Sequence, residues 1–179
     1  AESLGTKYSK GRFKNFHTGT IGSIGCLSFN GNKIITTGSG GAILTNNKNL
    51  AKKARYYINQ SKDDGLFYIH NSVGNNYRMN NIQAALGCSQ IENLKKILKN
   101  KLNIYEQYKK NISTKNISIT SNPNYCRSNN WLNILEINHK FSKNKLKKFI
   151  IQLQKKGIEC RPLWYPNHKQ RPFLNFKSY

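Results

Sequence analysis

Residues 24–45 read IGCLSFNGNKIITTGSGGAILT, and the alternation of apolar runs with turn residues in this stretch decides the fold. Ile24–Phe29 is a short apolar run bounded by Gly and Asn, the pattern of a buried strand. Asn30–Gly41 is turn chemistry around the Ile34–Ile35 pair. Ala42–Thr45 then predicts a second strand, so the two form a hairpin-like pair whose connection carries Lys33. Glycines in Thr36-Thr37-Gly38-Ser39-Gly40-Gly41 would let backbone N–H groups approach an anion. The stretch meets neither GxxxxGK(S/T) nor GxGxxG, since position 43 is Ile, and by itself it reads as a tight turn. A lysine set by a short rigid turn near a hydroxyl suits covalent chemistry with a phosphate-bearing cofactor. Taken singly, one lysine among so many reads as a solvated surface group.

Outward from this hairpin, residues 5–23 are rich in Gly, Lys and Thr and predict an irregular, exposed segment. Asn47–Ile58 has Leu50, Ala54 and Ile58 at helical spacing. A polar loop, Gln60–Gly65, precedes Gly74-Asn75-Asn76-Tyr77-Arg78-Met79-Asn80-Asn81, a polar turn that feeds a helix N-terminus where an anion is welcome. Asn80 or Asn81 caps that helix. Ile82, Ala85, Leu86, Ile91, Leu94, Leu98, Leu102 and Tyr105 extend one apolar face to about residue 110. Beyond it, Ile117–Ile119 and Trp131–Ile137 predict strands. Ser142 caps an amphipathic helix, Lys143–Lys156, closed by Gly157, and Ile158–Pro162 predicts a further strand. The order strand, strand, helix, strand suggests a small α+β domain from residue 112, which divides the chain into 1–111 and 112–179. No internal repeat is visible.

The chain has 179 residues, 30 basic and 7 acidic, for a formal net charge of +23. Such a balance points to nucleic acid, an anionic surface or an anionic substrate. The basic residues are mostly lysines spread along the chain, with Arg only at Arg12, Arg55, Arg78, Arg127, Arg161 and Arg171. A nucleic-acid binder concentrates Arg, Lys and aromatics on one element, so nucleic acid is not expected. Cys26, Cys88, Cys126 and Cys160 form no CxxC and lie near no His pair, so no metal site is expected and a reducing, cytoplasmic compartment is. No apolar run approaches the ~20 residues that span a bilayer, so no membrane partner is expected. Both ends lack start or stop signals, and the chain reads as a fragment.

Taken together, AESLGTKYSKGRF (1–13), GTIGSIGCLSFNGNKIITTGSGGAILTN (19–46), VGNNYRMNNIQAALGCSQIENL (73–94) and RPLWYPNHKQRPF (161–173) resemble successive blocks of the DegT/DnrJ/EryC1/StrS family of pyridoxal-phosphate-dependent sugar aminotransferases. The resemblance covers nearly the whole chain. It implies an α/β fold: residues 1–111 as the C-terminal part of a type I PLP-binding large domain with its long connecting helix, and 112–179 as an incomplete small α+β domain. FNGNKIITTGSGG, SKDDG, YIHNSVG and RPLWYPNH look most like the branch serving legionaminic acid. That branch moves an amino group, from L-glutamate, to C4 of a nucleotide-linked 4-keto-6-deoxy-N-acetylhexosamine.

Residue by residue, the resemblance implies that Lys33 is the catalytic, cofactor-bearing lysine and that Ser28 binds the cofactor phosphate. Asn76 would reach the phosphate in the partner subunit of a homodimer with shared active sites. Arg78 would help there or at the substrate, and Glu2 would lie near the pyridine ring. Arg161 and His168 are implied as substrate contacts, with Trp164 and Tyr165 as packing neighbours. Asn75 stands where the family has an aromatic, and Asn80 where Pro or Thr is common. The pyridine-pairing aspartate would lie two residues before Ala1, so the isolated piece is expected to be inactive. A non-catalytic remnant is the alternative.

Overall fold

Gly25–Ser28 and Gly41–Leu44 form a four-residue antiparallel ladder in which Gly25 faces Leu44 and Ser28 faces Gly41. This is the predicted hairpin, and Lys33 lies in its connection. Strand packing at its mouth demands glycine, because a Cβ on Gly41 would collide with the Leu27 carbonyl. The connection is also the hydrophobic centre. Phe29, Ile34 and Ile35 are buried, with Leu4, Leu27, Ala42, Met79, Leu94, Ile97, Leu98 and Trp131 packed against them.

The computed structural model describes residues 1–138 and 141–177. In chain order the strands are β1 (Lys7–Tyr8), β2 (Gly25–Ser28), β3 (Gly41–Leu44), β4 (Lys62–Asp64), β5 (Ile69–His70), β6 (Ile117–Ile119), β7 (Cys126–Arg127) and β8 (Leu135–Ile137). The helices are α1 (Lys48–Ile58), α2 (Asn81–Glu92), α3 (Leu94–Asn111) and α4 (Lys143–Lys155). Strands pair as β1–β7, β2–β3, β4–β5 and β6–β8. Two units result, Ala1–Glu136 and Ile137–Tyr179. Residue 112 thus falls at the C-cap of α3, inside the first unit.

Local signals placed most helix ends. Asn47 caps α1 by accepting from the Asn49 and Leu50 N–H groups. Asn80, not Asn81, caps α2: its Oδ1 accepts from the Gln83 backbone N–H and the Gln83 Oε1 accepts from the Asn80 N–H, a reciprocal capping box. Asn at position 80 therefore supplies what this helix start requires. Ser142 caps α4, and Gly157, at φ 77°, closes it.

Four expectations need correction. The single helix through residue 110 is two, α2 and α3, interrupted at Asn93, whose side-chain amide donates to the Ser89 carbonyl at 2.9 Å. A side chain that satisfies an orphan carbonyl lets the first helix end there. The expected apolar face of the first of them is also turned outward, with Ile82, Leu86 and Ile91 exposed. α2 packs instead through Gly87, where a Cβ would stand 3.0 Å from Thr37 Cγ2. In the stretch 131–137 only Leu135–Ile137 is strand, because the Trp131 indole N–H is committed to the hairpin connection. Ile158–Pro162 is not a strand and pairs with none among the described residues; the Cys160 carbonyl accepts from Gln154 instead.

Residues 5–23 are more ordered than their composition suggests. β1 pairs with β7 more than a hundred residues away, Thr6 is buried, and Thr18–Thr20 makes one 3-10 turn capped by His17. Likewise the polar loop Gln60–Gly65 contains β4, the first strand of the β4–β5 hairpin, whose turn is set by Asp64 Oδ1 accepting from Leu66 and Phe67 N–H at 2.7 and 2.8 Å.

Candidate active site

Lys33 sits on the hairpin connection between buried Phe29 and the buried Ile34–Ile35 pair. Its own N–H donates to the Asn30 carbonyl at 3.0 Å, closing a turn. The side chain is largely covered, at 13% exposure, and Nζ lies 2.8 Å from Glu2 Oε1. On another side Nζ stands 4.5 Å from the centre of the Trp131 ring, within cation–π range. A carboxylate and an aromatic face thus converge on one lysine amine, and neither is its sequence neighbour.

The connection is braced from both flanks. From α2, Gln90 Oε1 accepts from the Thr36 N–H at 3.0 Å, and Gln90 Nε2 donates to the Thr36 carbonyl at 2.7 Å. One turn from the helix start, Gln83 Nε2 donates to Ser39 Oγ at 2.9 Å. From the other flank, the Trp131 indole N–H donates to the Asn32 carbonyl at 2.6 Å. Asn129, buried, donates through Nδ2 to the Glu2 and Leu4 carbonyls at 2.9 and 3.0 Å. Its backbone N–H reaches Thr6 Oγ1 at 3.0 Å, and its Oδ1 accepts from the Trp131 N–H at 3.1 Å. Asn130 between them is left-handed, at φ 49°, a conformation asparagine tolerates better than most residues.

Residues 129–131 therefore hold both the turn that bears Lys33 and the segment that bears Glu2. Sequence reading passed over Asn129 and gave Trp131 only a strand role. Nothing local marks them, since their partners lie 99 to 127 positions away.

Ser28 ends β2 with its N–H donating to the Ala1 carbonyl at 3.2 Å. Among the described residues its hydroxyl has no protein partner. Asn76 and Arg78 lie on a rail beside the end of α1: the Asn75 N–H donates to the Tyr57 carbonyl at 2.9 Å and the Tyr77 N–H to the Ile58 carbonyl at 3.0 Å. This rail leaves Asn76 and Arg78 exposed, with no hydrogen bond to Lys33, Glu2 or Ser28 among the described residues. Asn75 serves the rail through its backbone, so the side chain there is free to depart from an aromatic. Arg161 and His168 belong to the second unit. There Arg161 pairs with Glu159 at 2.9 Å, both exposed, and His168 lies in a 3-10 turn.

The first unit thus brings Lys33, Glu2 and Trp131 into contact. Among the described residues no group of His, Cys, Asp and Glu has the arrangement of a metal centre. His17 lies apart from the lysine, with Nε2 2.8 Å from the Gly5 nitrogen and Nδ1 3.1 Å from that of Gly19. Burial, and then the Lys7 charge, hold its pKa below the ordinary 6.5.

Comparison with known proteins places this geometry. The family model described as "DegT/DnrJ/EryC1/StrS aminotransferase family" matches residues 1–179. EpsN of Bacillus subtilis (strain 168), named as a pyridoxal phosphate-dependent aminotransferase, is 37% identical over 175 residues, which are 97% of this chain and 43% of EpsN. GDP-perosamine synthase of Escherichia coli O157:H7 is 35% identical over 168 residues, 94% of this chain and 44% of the synthase. Among solved structures, PseC of Helicobacter pylori, an aminotransferase involved in the biosynthesis of pseudoaminic acid, superposes with a TM-score of 0.78 at 24% identity. It aligns with all of this chain, which covers 48% of PseC. The chain spans less than half the length of each, and its mixed helix and strand is the corresponding part of the type I aminotransferase fold.

Proposed function

The chain belongs to the DegT/DnrJ/EryC1/StrS aminotransferase family, and from that premise we propose that the whole protein is a pyridoxal-phosphate-dependent sugar-nucleotide aminotransferase. Its reaction moves an amino group from L-glutamate to C4 of a nucleotide-linked 4-keto-6-deoxy-N-acetylhexosamine, for nonulosonic acid or other surface-glycan synthesis. The nucleotide-sugar part of this reading is supported by the likeness to GDP-perosamine synthase. Its finer sugar identity is supported by the FNGNKIITTGSGG and RPLWYPNH stretches.

The observation that carries the reading is Lys33 itself: a covered primary amine, paired with Glu2, on a turn braced from both flanks. The donor set fits pyridoxal phosphate. Lys33 offers an amine for its carbonyl carbon, and Ser28 offers a hydroxyl without a protein partner for its phosphate. When bound, the cofactor supplies the electron sink that the side chains lack.

The chain's own residues do the rest. The braces hold Lys33 Nζ in one place, where the amine would take up and return a substrate proton once the cofactor is bound. Glu2 holds the amine from one side while it is charged. Ser28 of the same chain, together with Asn76 of the partner subunit, would anchor the phosphate, and Arg78, Arg161 and His168 would contact the anionic substrate. The basic balance of the chain suits a diphosphate-linked sugar.

A homodimer with shared sites is supported by the exposed rail that carries Asn76. It is supported also by the apolar groups around the rail, Leu66, Phe67, Tyr68, Val73, Tyr77 and Ile82, the last three 91%, 74% and 83% exposed. We place the protein in the cytoplasm, which its four free cysteines suit. No helix among the described residues is long and apolar enough to cross a membrane.

Borohydride trapping of the full-length protein with pyridoxal phosphate, followed by peptide mapping, tests the reading. Stoichiometric label at Lys33, lost in Lys33→Ala, is expected, together with glutamate-dependent amination of the keto-sugar. Label scattered over many lysines and unchanged by that substitution overturns it and leaves a non-catalytic remnant.

A further inference from the structure

We propose that Trp131 is a positioning residue for Lys33, setting the place of the reactive amine through two separate contacts. This rests on Lys33 being the reactive lysine proposed above. One contact is polar: the indole N–H donates to the carbonyl of Asn32, the residue before Lys33, at 2.6 Å. The other is electrostatic: the ring face lies 4.5 Å from Lys33 Nζ.

A lysine on a turn has four side-chain torsions to fix. Backbone bracing fixes only where the side chain starts. The ring supplies a wall at its far end and draws the ammonium toward its face. Glu2 approaches the same nitrogen, and the Glu2 backbone is held by Asn129, whose Oδ1 accepts from the Trp131 backbone N–H. Trp131 is therefore tied to both ends of the Lys33–Glu2 pair. Leu or Ala at this position would fill space without holding the Asn32 carbonyl or facing the amine. A tyrosine or phenylalanine would keep a π face and lose the indole donor.

The arrangement predicts a rate effect without a binding effect. Misplacing a reacting amine by about 1 Å costs on the order of 10²-fold in rate. Both contacts argued here, to the Asn32 carbonyl and to the Lys33 amine, are to the lysine turn, so their loss should lower kcat and leave KM nearly unchanged.

Two measurements on the full-length protein test this. The first needs neither cofactor nor substrate. Reductive ¹³C-methylation of the cofactor-free protein gives each lysine an N-methyl signal, and the Lys33 signal is identified by its loss in Lys33→Arg. An amine above an indole face is shifted upfield by the ring current. The shift is expected in the wild type, smaller in Trp131→Phe and absent in Trp131→Leu. The second is steady-state kinetics: kcat should fall about tenfold in Trp131→Phe, for one lost hydrogen bond. In Trp131→Leu it should fall about 10²-fold. KM for both substrates should stay within about twofold in each.

Should Trp131→Leu not fold, as circular dichroism would show, the wild type and Trp131→Phe decide alone. A Lys33 methyl signal among those of exposed lysines in the wild type overturns the assignment. So does wild-type kcat in Trp131→Phe. Failure of the aminotransferase reading is distinct, because it shows as no trapping at Lys33 whatever the methyl shift.

Discussion

Gln90 and Thr36 exchange two hydrogen bonds, side-chain amide to backbone, at 3.0 and 2.7 Å across 54 positions of sequence. The pair works like one rung of a sheet, with a glutamine side chain in place of a strand. Replacing it leaves a half-buried Thr36 N–H and carbonyl without partners. Gln90→Ala should therefore destabilise the protein by about 2 kcal/mol, read by urea denaturation. Gln90→Glu keeps the acceptor for the N–H but sets a carboxylate against a carbonyl, so it should recover little of that loss. Equal stability of Gln90→Ala and wild type would show that the rung carries no load.

The Lys33–Glu2 pair is expected to matter for reactivity far more than for stability. Glu2 is half exposed, and such pairs contribute about 0–1 kcal/mol. Glu2→Gln should shift the unfolding free energy by less than about 1 kcal/mol. It should also slow cofactor trapping at Lys33, followed by borohydride quench at timed intervals. An unchanged trapping rate would remove Glu2 from the site.

Ile35 is 1% exposed at the centre of the core that the hairpin connection makes for itself. Ile35→Ala should cost about 2–5 kcal/mol, by lost transfer energy and the cavity left behind. Phe67→Ser, on the exposed β4–β5 turn, should leave the denaturation midpoint of the subunit nearly unchanged and weaken self-association in sedimentation equilibrium.

His17 should make stability depend on pH in one direction. Its folded pKa lies below the ordinary 6.5 because burial, and next the Lys7 charge, disfavour the imidazolium. A neutral ring can accept at one nitrogen from Gly5 or Gly19, and an imidazolium at neither. Above pH 6.5 the contribution is fully present. As pH falls below 6.5 the unfolded chain takes up the proton first, so stability declines until the lowered folded pKa is passed. Thermal melts between pH 7.5 and 5 should show this decline, and His17→Asn, which can still cap the 3-10 turn, should flatten it.

The hairpin, the position of Lys33 on it, the cap Ser142 and a cap at Asn80 or Asn81 were legible because each depends on residues within a few positions. The outward turn of Ile82 and Leu86 was not. A helix-period stripe marks an apolar face and leaves open whether this chain or another covers it. Nor could sequence show Asn129 and Trp131, whose partners lie in distant segments and are largely backbone groups. Carbonyls at Glu2, Leu4 and Asn32 are present in any sequence, so they leave no compositional trace. The break at Asn93 was hidden for a related reason: Leu94 and Leu98 continue the spacing across it, while the interruption is written in one amide reaching back to Ser89.

The strap from Asn129 to Trp131 has a consequence for the order in which the protein is born. The Trp131 partner, Asn32, is made 99 residues earlier. At about 5–20 residues per second, a ribosome takes on the order of 5–20 s to cover that interval. During it α2 can already brace Thr36 and Ser39, while Lys33 has no indole beside it. The strap side of the lysine turn therefore cannot form until that interval has passed. Completion of the surroundings of Lys33 is tied to the emergence of residue 131 from the ribosome.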